Sequence, residues 1–500
     1  MITIIILTAI LAVLLASVYQ KMKSLPPGPI PFPLLGNIPQ LALLQKRHGN
    51  IVNVMKELKK KYGPVFTLWM GPDPTVHVCN LELAQEAMVK RGHEFTDRWN
   101  PQLWTDQTKG LGIVNSNGPF WSEHRRFMLH TFRNFGLGRG IMEDRIMMEY
   151  NLRMQELNKK LAGGQSEIEA FPFIELMVGS IINRILLNER LEADKEKEFF
   201  KLKEKLAELN DFCIIDFYAG YKWLWNIPYL RKRWESWPTM FDEMREFLRS
   251  QIRERLRAIE SGDHVIGENP EDYVDSFLTK MKEEENNPDS IYTEETLVYN
   301  LADLWTAGQD TTSMSLLSGF THMLNQPEIM VEARKELVKV TENKRQLSLT
   351  DKKSTPYLNA LITEIQRHAS IVLFNLFRQT KGAVEVGGHP VAAGTPITAE
   401  VSVIMENDDL FNNNTSFDPS RYLKSQDLEK HVNPFGLGKR SCPGESLARA
   451  ELYLLLGNLL LDYEFERIGK EKLSDFEFPD SVFKSPPKFN MKVRKIEKVL

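Results

Sequence analysis

Phe435-Gly436-Leu437-Gly438-Lys439-Arg440-Ser441-Cys442-Pro443-Gly444-Glu445 is the stretch from which the rest of this chain can be read. Gly436 and Gly438 carry no Cβ, so the backbone there can bend tightly and lie close to a flat ligand. Pro443 suits the first position of a helix, and the apolar run 447–461 follows it. Cys442 then falls where a helix begins, and the positive end of the helix dipole favours a thiolate over a thiol. Arg440 offers a rigid fork of donors for a carboxylate. A thiolate, a flat space and an anion clamp together suit an iron porphyrin, with its metal and its acidic edge. A thiolate on haem iron pushes electron density toward the metal and favours O–O cleavage.

The same loop reads F-x-x-G-x-R-x-C-x-G, with Phe435, Gly438, Arg440, Cys442 and Gly444 in their places. It resembles the haem-binding loop of the cytochrome P-450 monooxygenases. The resemblance implies a mainly α fold with small β-sheets, one large P-450-type haem-thiolate unit, and an N-terminal transmembrane anchor helix. It implies that Cys442 is the axial ligand of the haem iron, with Phe435, Gly436 and Arg440 around the cofactor. Cys79 and Cys213 read as small buried hydrophobes.

Three cysteines in 500 residues cannot build a disulfide framework, which favours a reducing, cytosol-facing setting. A formal net charge of −4 gives no basis for binding nucleic acid. Residues 2–19 carry no charge, a length within the ~17–25 residues that cross a bilayer as a helix. Lys21 and Lys23 follow, and no Lys or Arg precedes, so the positive-inside rule puts the rest of the chain in the cytosol. The expected division is an anchor with its basic flank at 1–24, a proline-rich hinge at 25–40 and a catalytic unit at 41–500. Proline at the density of Leu25-Pro26-Pro27-Gly28-Pro29-Ile30-Pro31 forbids helix and stiffens the hinge. A similar hinge occurs in microsomal members of the family, which implies the endoplasmic reticulum membrane.

Helical spacing of apolar residues marks 52–61 and 81–91. Residues 62–79 read as strand, turn, strand about Gly71-Pro72, and 383–397 as a second strand-like zone. The polar tract 261–290 reads as an exposed stretch between helices. Thr293-Glu294-Glu295 starts a helix, with a cap residue followed by acids, that can run to Asn325 before Pro327 stops it. Its length is roughly 45 Å, enough to cross a domain.

Inside that helix lies Ala307-Gly308-Gln309-Asp310-Thr311-Thr312. Ala307 and Thr311 share a face, with Asp310 beside them, and Gly308 predicts a local widening that admits water. A carboxylate, an alcohol and a water are what a bound peroxide needs in order to receive protons. The tract resembles the A-G-x-(D/E)-T-(T/S) oxygen-activation motif of the same family. Carried over, Thr311 hydrogen-bonds the dioxygen, Asp310 relays protons, and Ala307 and Gly308 leave room above the iron.

Three further matches are arginine motifs. Glu364-Ile365-Gln366-Arg367 lies on a helix begun by Thr355-Pro356, and alone its Glu364–Arg367 pair reads as an exposed contact of little worth. In the family this pair and the arginine of Phe417-Asp418-Pro419-Ser420-Arg421-Tyr422 form a buried triad of structural role. Ser420 and Tyr422 depart from the usual Glu and Phe, and Asn407 stands where His is frequent. Trp121-Ser122-Glu123-His124-Arg125 puts indole and guanidinium on one face, within reach of a haem propionate. Arg378 follows Glu364 at a spacing that suits a further propionate contact, as the resemblance implies.

The resemblance puts the pocket walls at 99–114, 212–227, Leu304 and Ala307, 371–374 and 482–483, tracts rich in Phe, Trp, Leu and Ile. An apolar substrate (xenobiotic, fatty acid or steroid-like) follows. Residues 214–230 are aromatic enough to dip into a membrane interface. The implied activity is monooxygenation with O2 as co-substrate and electrons from NADPH. The donor is a flavoprotein NADPH-cytochrome reductase, with a b-type cytochrome as a second donor and membrane lipid as a partner. No Gly-rich dinucleotide fingerprint occurs, consistent with a separate donor, and Arg133 and Lys439 are candidates for docking it. Two alternatives stand beside this: a haem-thiolate isomerase or dehydratase that needs no reductase, and a haem-binding protein without turnover. The Asp310-Thr311 pair argues against both.

Overall fold

The computed structural model describes residues 12–13, 16–136, 140–474 and 477–497, a helical body with three small β-sheets. Most of residues 2–19, read above as the anchor, lies outside the described residues. Among those described, Ala170–Leu187 has the length and hydropathy of a membrane span, but 72% of it is buried inside the fold. A helix apolar all round that other elements cover is a core helix.

The helices that build the site are α1 (Gly118–Asn134), α2 (Ala170–Leu187), α3 (Ala193–Leu206), α4 (Glu294–Asn325), α5 (Pro356–Ala369) and α6 (Glu445–Asp462). The capping read at Thr293 is present: its side chain accepts from Thr296 N–H, and α4 runs 32 residues, about 48 Å. It packs on α2, α5 and α6 and on the helix Trp237–Ser261. The backbone stays α-helical through Gly308, whose missing side chain lets Ile182 approach, so the widening read there is absent. Pro356 does open α5, although Thr355 makes no capping bond and instead pairs its hydroxyl with that of Tyr453 at 2.7 Å.

Two expectations need correction. Pro443 is not the first residue of its helix: Gly444 is the N-cap and α6 starts at Glu445. The tract 261–290 is not a loop, because Tyr273–Glu283 is a helix that buries Tyr273, Val274, Phe277 and Leu278. Its polar flanks masked four apolar residues at helical spacing.

The main sheet holds β1 (Val65–Met70), β2 (Asp73–Val78), β3 (Asp97–Arg98), β4 (Arg378–Gln379) and β5 (Pro396–Ala399), in the order β1-β2-β5-β4-β3. β1 and β2 form the hairpin read about Gly71, and β2 runs parallel to β5. The register of β3 against β4 sets Arg98 directly opposite Arg378. Within 383–397, Val384–Val386 and His389–Val391 form a separate hairpin. A third sheet joins Glu167–Glu169, Asn490–Lys495 and Tyr463–Arg467.

Candidate active site

A cavity of about 300 Å³ lies between α4 and the N-terminal end of α6. From one side it is lined by Leu304, Ala307, Gly308, Thr311 and Thr312, and from the other by Phe435, Gly436, Arg440 and Cys442. The two motifs, about 130 residues apart in sequence, therefore face each other across one space.

The cysteine loop is closed by its own backbone: Cys442 N–H donates to Phe435 C=O at 2.8 Å, and Ser441 N–H to Gly438 C=O at 2.8 Å. Gly436 and Gly438 both have φ of +71°. A Cβ on Gly438 would sit 1.7 Å from the carbonyl oxygen of Met88, within the π-helical turn Glu86–Lys90. Gly438→Ala is accordingly expected to displace the loop, since the left-handed conformation alone costs about 1–2 kcal/mol and the backbone contact leaves no room. Haem content per chain after expression should fall to background, and a variant with full haem content would contradict this geometry.

Burial pushes the Cys442 thiol up, while the backbone N–H groups of Gly444 and Glu445 and the charge of Arg125 pull it down. The helix start thus opposes the rise rather than setting the thiolate by itself, and a cation held at the sulfur would complete the stabilisation. Cys79 and Cys213 are pushed up by burial, Cys213 to about 12, and neither lines the cavity.

The other end of the site is a cluster of arginines without acids. Arg440 donates to the Thr96 and Ser116 carbonyls at 2.6 and 2.7 Å and lies 3.7 Å over the Trp121 ring. Arg378 donates to Leu437 C=O, Arg125 to Ser441 C=O at 2.7 Å, and Arg98 to the Val114 and Leu376 carbonyls. Among the described residues none of the four pairs with a carboxylate. Burial, then the charge of neighbouring arginines, pulls Arg98, Arg378 and Arg440 below the usual range. Like charges opposite each other across strands are destabilising unless something anionic lies between them. Trp121 Nε1, Arg440 Nη1 and two nitrogens of Arg378 are buried without a partner. Unpaired donors of this kind cost roughly 1–3 kcal/mol each, and more when charged. A flat dianion with a thiophilic metal would offer acceptors to these donors and a cation to Cys442, so the residues fit a haem.

Arg98 was missed in the sequence because no motif surrounds it; only strand register brings it beside Arg378. Asp303 was missed as well. Burial raises its carboxyl to about 6, and it accepts from the Ile113 and Val114 N–H groups at 2.6 and 2.8 Å, pinning the wall loop to α4.

On α4, Thr311 O–H donates to Ala307 C=O at 2.8 Å and faces the cavity. Asp310 does not line the cavity. It pairs with Lys203 of α3, which also lies 3.3 Å from Glu175 of α2. The Glu364–Arg367 pair, which alone reads as an exposed contact but which the family resemblance puts in a buried triad, is fully buried at 0% exposure of both side chains. Arg421 donates to Glu364 at 3.1 Å, and the unusual Tyr422 adds its hydroxyl at 2.8 Å. His124 is buried beside Asn300 and Phe277, away from the cavity.

The expected walls divide between two spaces. Val114, Leu304, Ala307, Ile371 and Phe374 line the main cavity. Ile214, Phe217 and Val482 line a smaller one of about 20 Å³, which shares only Phe374 with the first.

The chain matches the family described as Cytochrome P450 over residues 26–493. It is 39% identical over 494 residues to Probable cytochrome P450 cyp-35D1 of Caenorhabditis elegans, covering 97% of this chain and 98% of that protein. Cytochrome P450 2C28 of Mesocricetus auratus is 32% identical, covering 96% of each. Cytochrome P450 2C8 of Homo sapiens is 31% identical, covering 94% of each.

Proposed function

We propose, from the premise that this chain belongs to the cytochrome P450 family and is a haem-thiolate monooxygenase, that it oxidises lipophilic molecules at the endoplasmic reticulum membrane. In this reading electrons come from NADPH through a flavoprotein reductase. The observation that carries it is the opposition of Thr311 and Cys442 across one cavity with an unpaired arginine cluster at its edge.

Cys442 would hold the iron, and Arg98, Trp121, Arg125, Arg378 and Arg440 would hold the two propionates. When bound, thiolate-ligated haem supplies dioxygen activation. Ala307 and Gly308 leave the far wall low, and Thr311 presents a hydroxyl that turns from its own helix carbonyl to offer or take a proton. Asp310, held by Lys203 at the back of α4, would bring protons to that hydroxyl from the solvent side. Leu304, Ile371, Val372 and Phe374 exclude water and favour apolar substrates. Glu364, Arg367 and Arg421 would support the loop structurally.

Two exposed apolar tracts support a membrane-facing surface. Ile30, Phe32, Leu34 and Leu35 are exposed, as are Trp223, Ile227 and Tyr229. The tracts approach each other at the β1–β2 turn, where Gly71 has Tyr218 and the Leu34 carbonyl as neighbours. Exposed Arg133 and Lys439 suit an acidic donor surface on the reductase. A b-type cytochrome would use the same charges. The reading predicts that Thr311→Ala keeps haem and NADPH consumption but loses product per NADPH by at least about tenfold, the loss of a positioned proton donor. Product and NADPH counted together in reconstituted vesicles check this. Fully coupled turnover by the variant would remove Thr311 from the relay.

A further inference from the structure

The smaller cavity, of about 20 Å³, holds three polar side chains among apolar walls: His77, Glu400 and Ser402. Thr75 and His77 share a face of β2, and Glu400 follows β5, its parallel neighbour. Thr75 O–H donates to Leu68 C=O at 3.0 Å, so His77 Nε2–H donates to the Thr75 oxygen at 2.8 Å. His77 Nδ1 then shares one proton with Glu400 Oε1 at 2.7 Å. Whichever of the two holds that proton, the pair carries no net charge. Glu400 is 3% exposed and Ser402 1%. Among the described residues nothing donates to Glu400 Oε2, and the Ser402 hydroxyl makes no hydrogen bond. Buried polar groups are normally matched, so an acceptor and a hydroxyl left over together form a built polar corner. The space accommodates one group the size of a water molecule.

We propose that this corner seats the terminal hydroxyl of a straight-chain lipophilic alcohol, whose carbon chain extends past Phe374 into the main cavity. The alcohol O–H donates to Glu400 Oε2, and its oxygen accepts from the Ser402 hydroxyl. Charge selects against the other common chain ends. A carboxylate would set its oxygens against Glu400. An ammonium offers Ser402 no lone pair and would leave the enclosed groups with a net positive charge. Phe374 is the one side chain that lines both cavities. The backbone about it is pinned: Leu373 N–H donates to Val482 C=O at 3.2 Å, Asn375 N–H to Ala399 C=O at 2.8 Å and Ser402 N–H to Leu373 C=O at 3.0 Å. The two cavities therefore join by a turn of the Phe374 ring, not by movement of the strand. A chain of methylenes is narrow enough to pass one turned ring, whereas a fused ring system is not. Held in this way, the hydroxyl-bearing carbon lies away from Thr311 and Cys442, so oxygen enters the far part of the chain. The inference deepens the reading above by naming a substrate class, and rests on it for the oxidation but not for the binding.

The test compares 1-dodecanol with its methyl ether, which has the same chain and cannot donate, and with dodecanoate. Titration of the haem-loaded full chain, followed through the haem absorbance, gives each Kd without turnover. The alcohol should bind at least about tenfold tighter than either of the others, the effect of one buried acceptor matched or left unmatched. Glu400→Gln keeps an oxygen for His77 and replaces the free one with a donor, and Ser402→Ala removes the hydroxyl. Both should keep their haem and their carbon monoxide spectrum while the preference for alcohol over ether falls to within about twofold. Should Glu400→Gln fail to fold, Ser402→Ala carries the test. Equal Kd values for alcohol and ether, the corner then holding a water only, overturn the proposal. An alcohol preference that survives both substitutions overturns it as well. With reductase and NADPH the product should be a diol; dodecanal as the main product contradicts the placement. Failure is separable from failure of the parent reading. Oxidation of apolar molecules with no preference for the alcohol removes only the corner. Glu400-dependent binding of the alcohol with no lipophile oxidised supports the corner and removes the reading above.

Discussion

Arg367→Ala is expected to destabilise the fold by about 3–5 kcal/mol and to lower the haem content of the expressed chain. Both side chains of the Glu364–Arg367 pair are fully buried. Arg367 donates to both carboxylate oxygens at 2.8 and 2.9 Å and to Asn414 C=O at 2.9 Å, with its guanidinium 4.9 Å over Phe411. Removing it strands a carboxylate that Arg421, Tyr422 and the Asp418 N–H only partly satisfy. Breaking a buried pair from one side costs about 3–5 kcal/mol, against a total stability of roughly 5–15 kcal/mol. The denaturation midpoint and the haem content measure this, and a loss under about 1 kcal/mol would contradict the account.

The same cluster has a pH sign. Burial raises the Glu364 carboxyl, but hydrogen bonds and charge from Arg367 and His368 overcome it and hold it well below the usual range. A group with a depressed folded value stabilises the fold above its unfolded pKa of about 4.3 and loses that contribution as pH falls further. Acid should therefore release haem and unfold the chain together.

Cys442→His is expected to abolish monooxygenation while leaving a haem-binding chain. The surroundings of Cys442 are built for an anion: the N–H groups of Gly444 and Glu445 point toward the sulfur, and Arg125 adds its charge. A neutral imidazole gains nothing from those donors and cannot push electron density as a thiolate does. The Trp121, Arg378 and Arg440 donors remain, so cofactor retention should be reduced rather than lost. Haem content by absorbance and product formation with reductase separate the two effects. Retained turnover in this variant would mean that the sulfur is not the ligand.

What was legible in the sequence was local. The Phe435–Glu445 loop and the Ala307–Thr312 tract each carry their chemistry within a few residues, so spacing alone brought them out. The long helix could be bounded because Thr293 and Pro327 mark its ends. Features that depend on distant pairing were not legible. Glu364 and Arg367 taken alone look like a surface contact, and only the family resemblance put them in a buried triad; Phe411, Asn414 and Tyr422, all remote in sequence, close over them. Arg98 gains its meaning only from the strand register that places it against Arg378. Asp310 shares a motif with Thr311, yet helical geometry turns it toward Lys203.

The most direct measurement of the central claim is the Soret band of the reduced wild-type protein under carbon monoxide. Cys442 as a thiolate ligand predicts the strong red shift specific to thiolate-ligated haem, lost in Cys442→His. A band without that shift in protein that is folded and haem-loaded would contradict the assignment of Cys442.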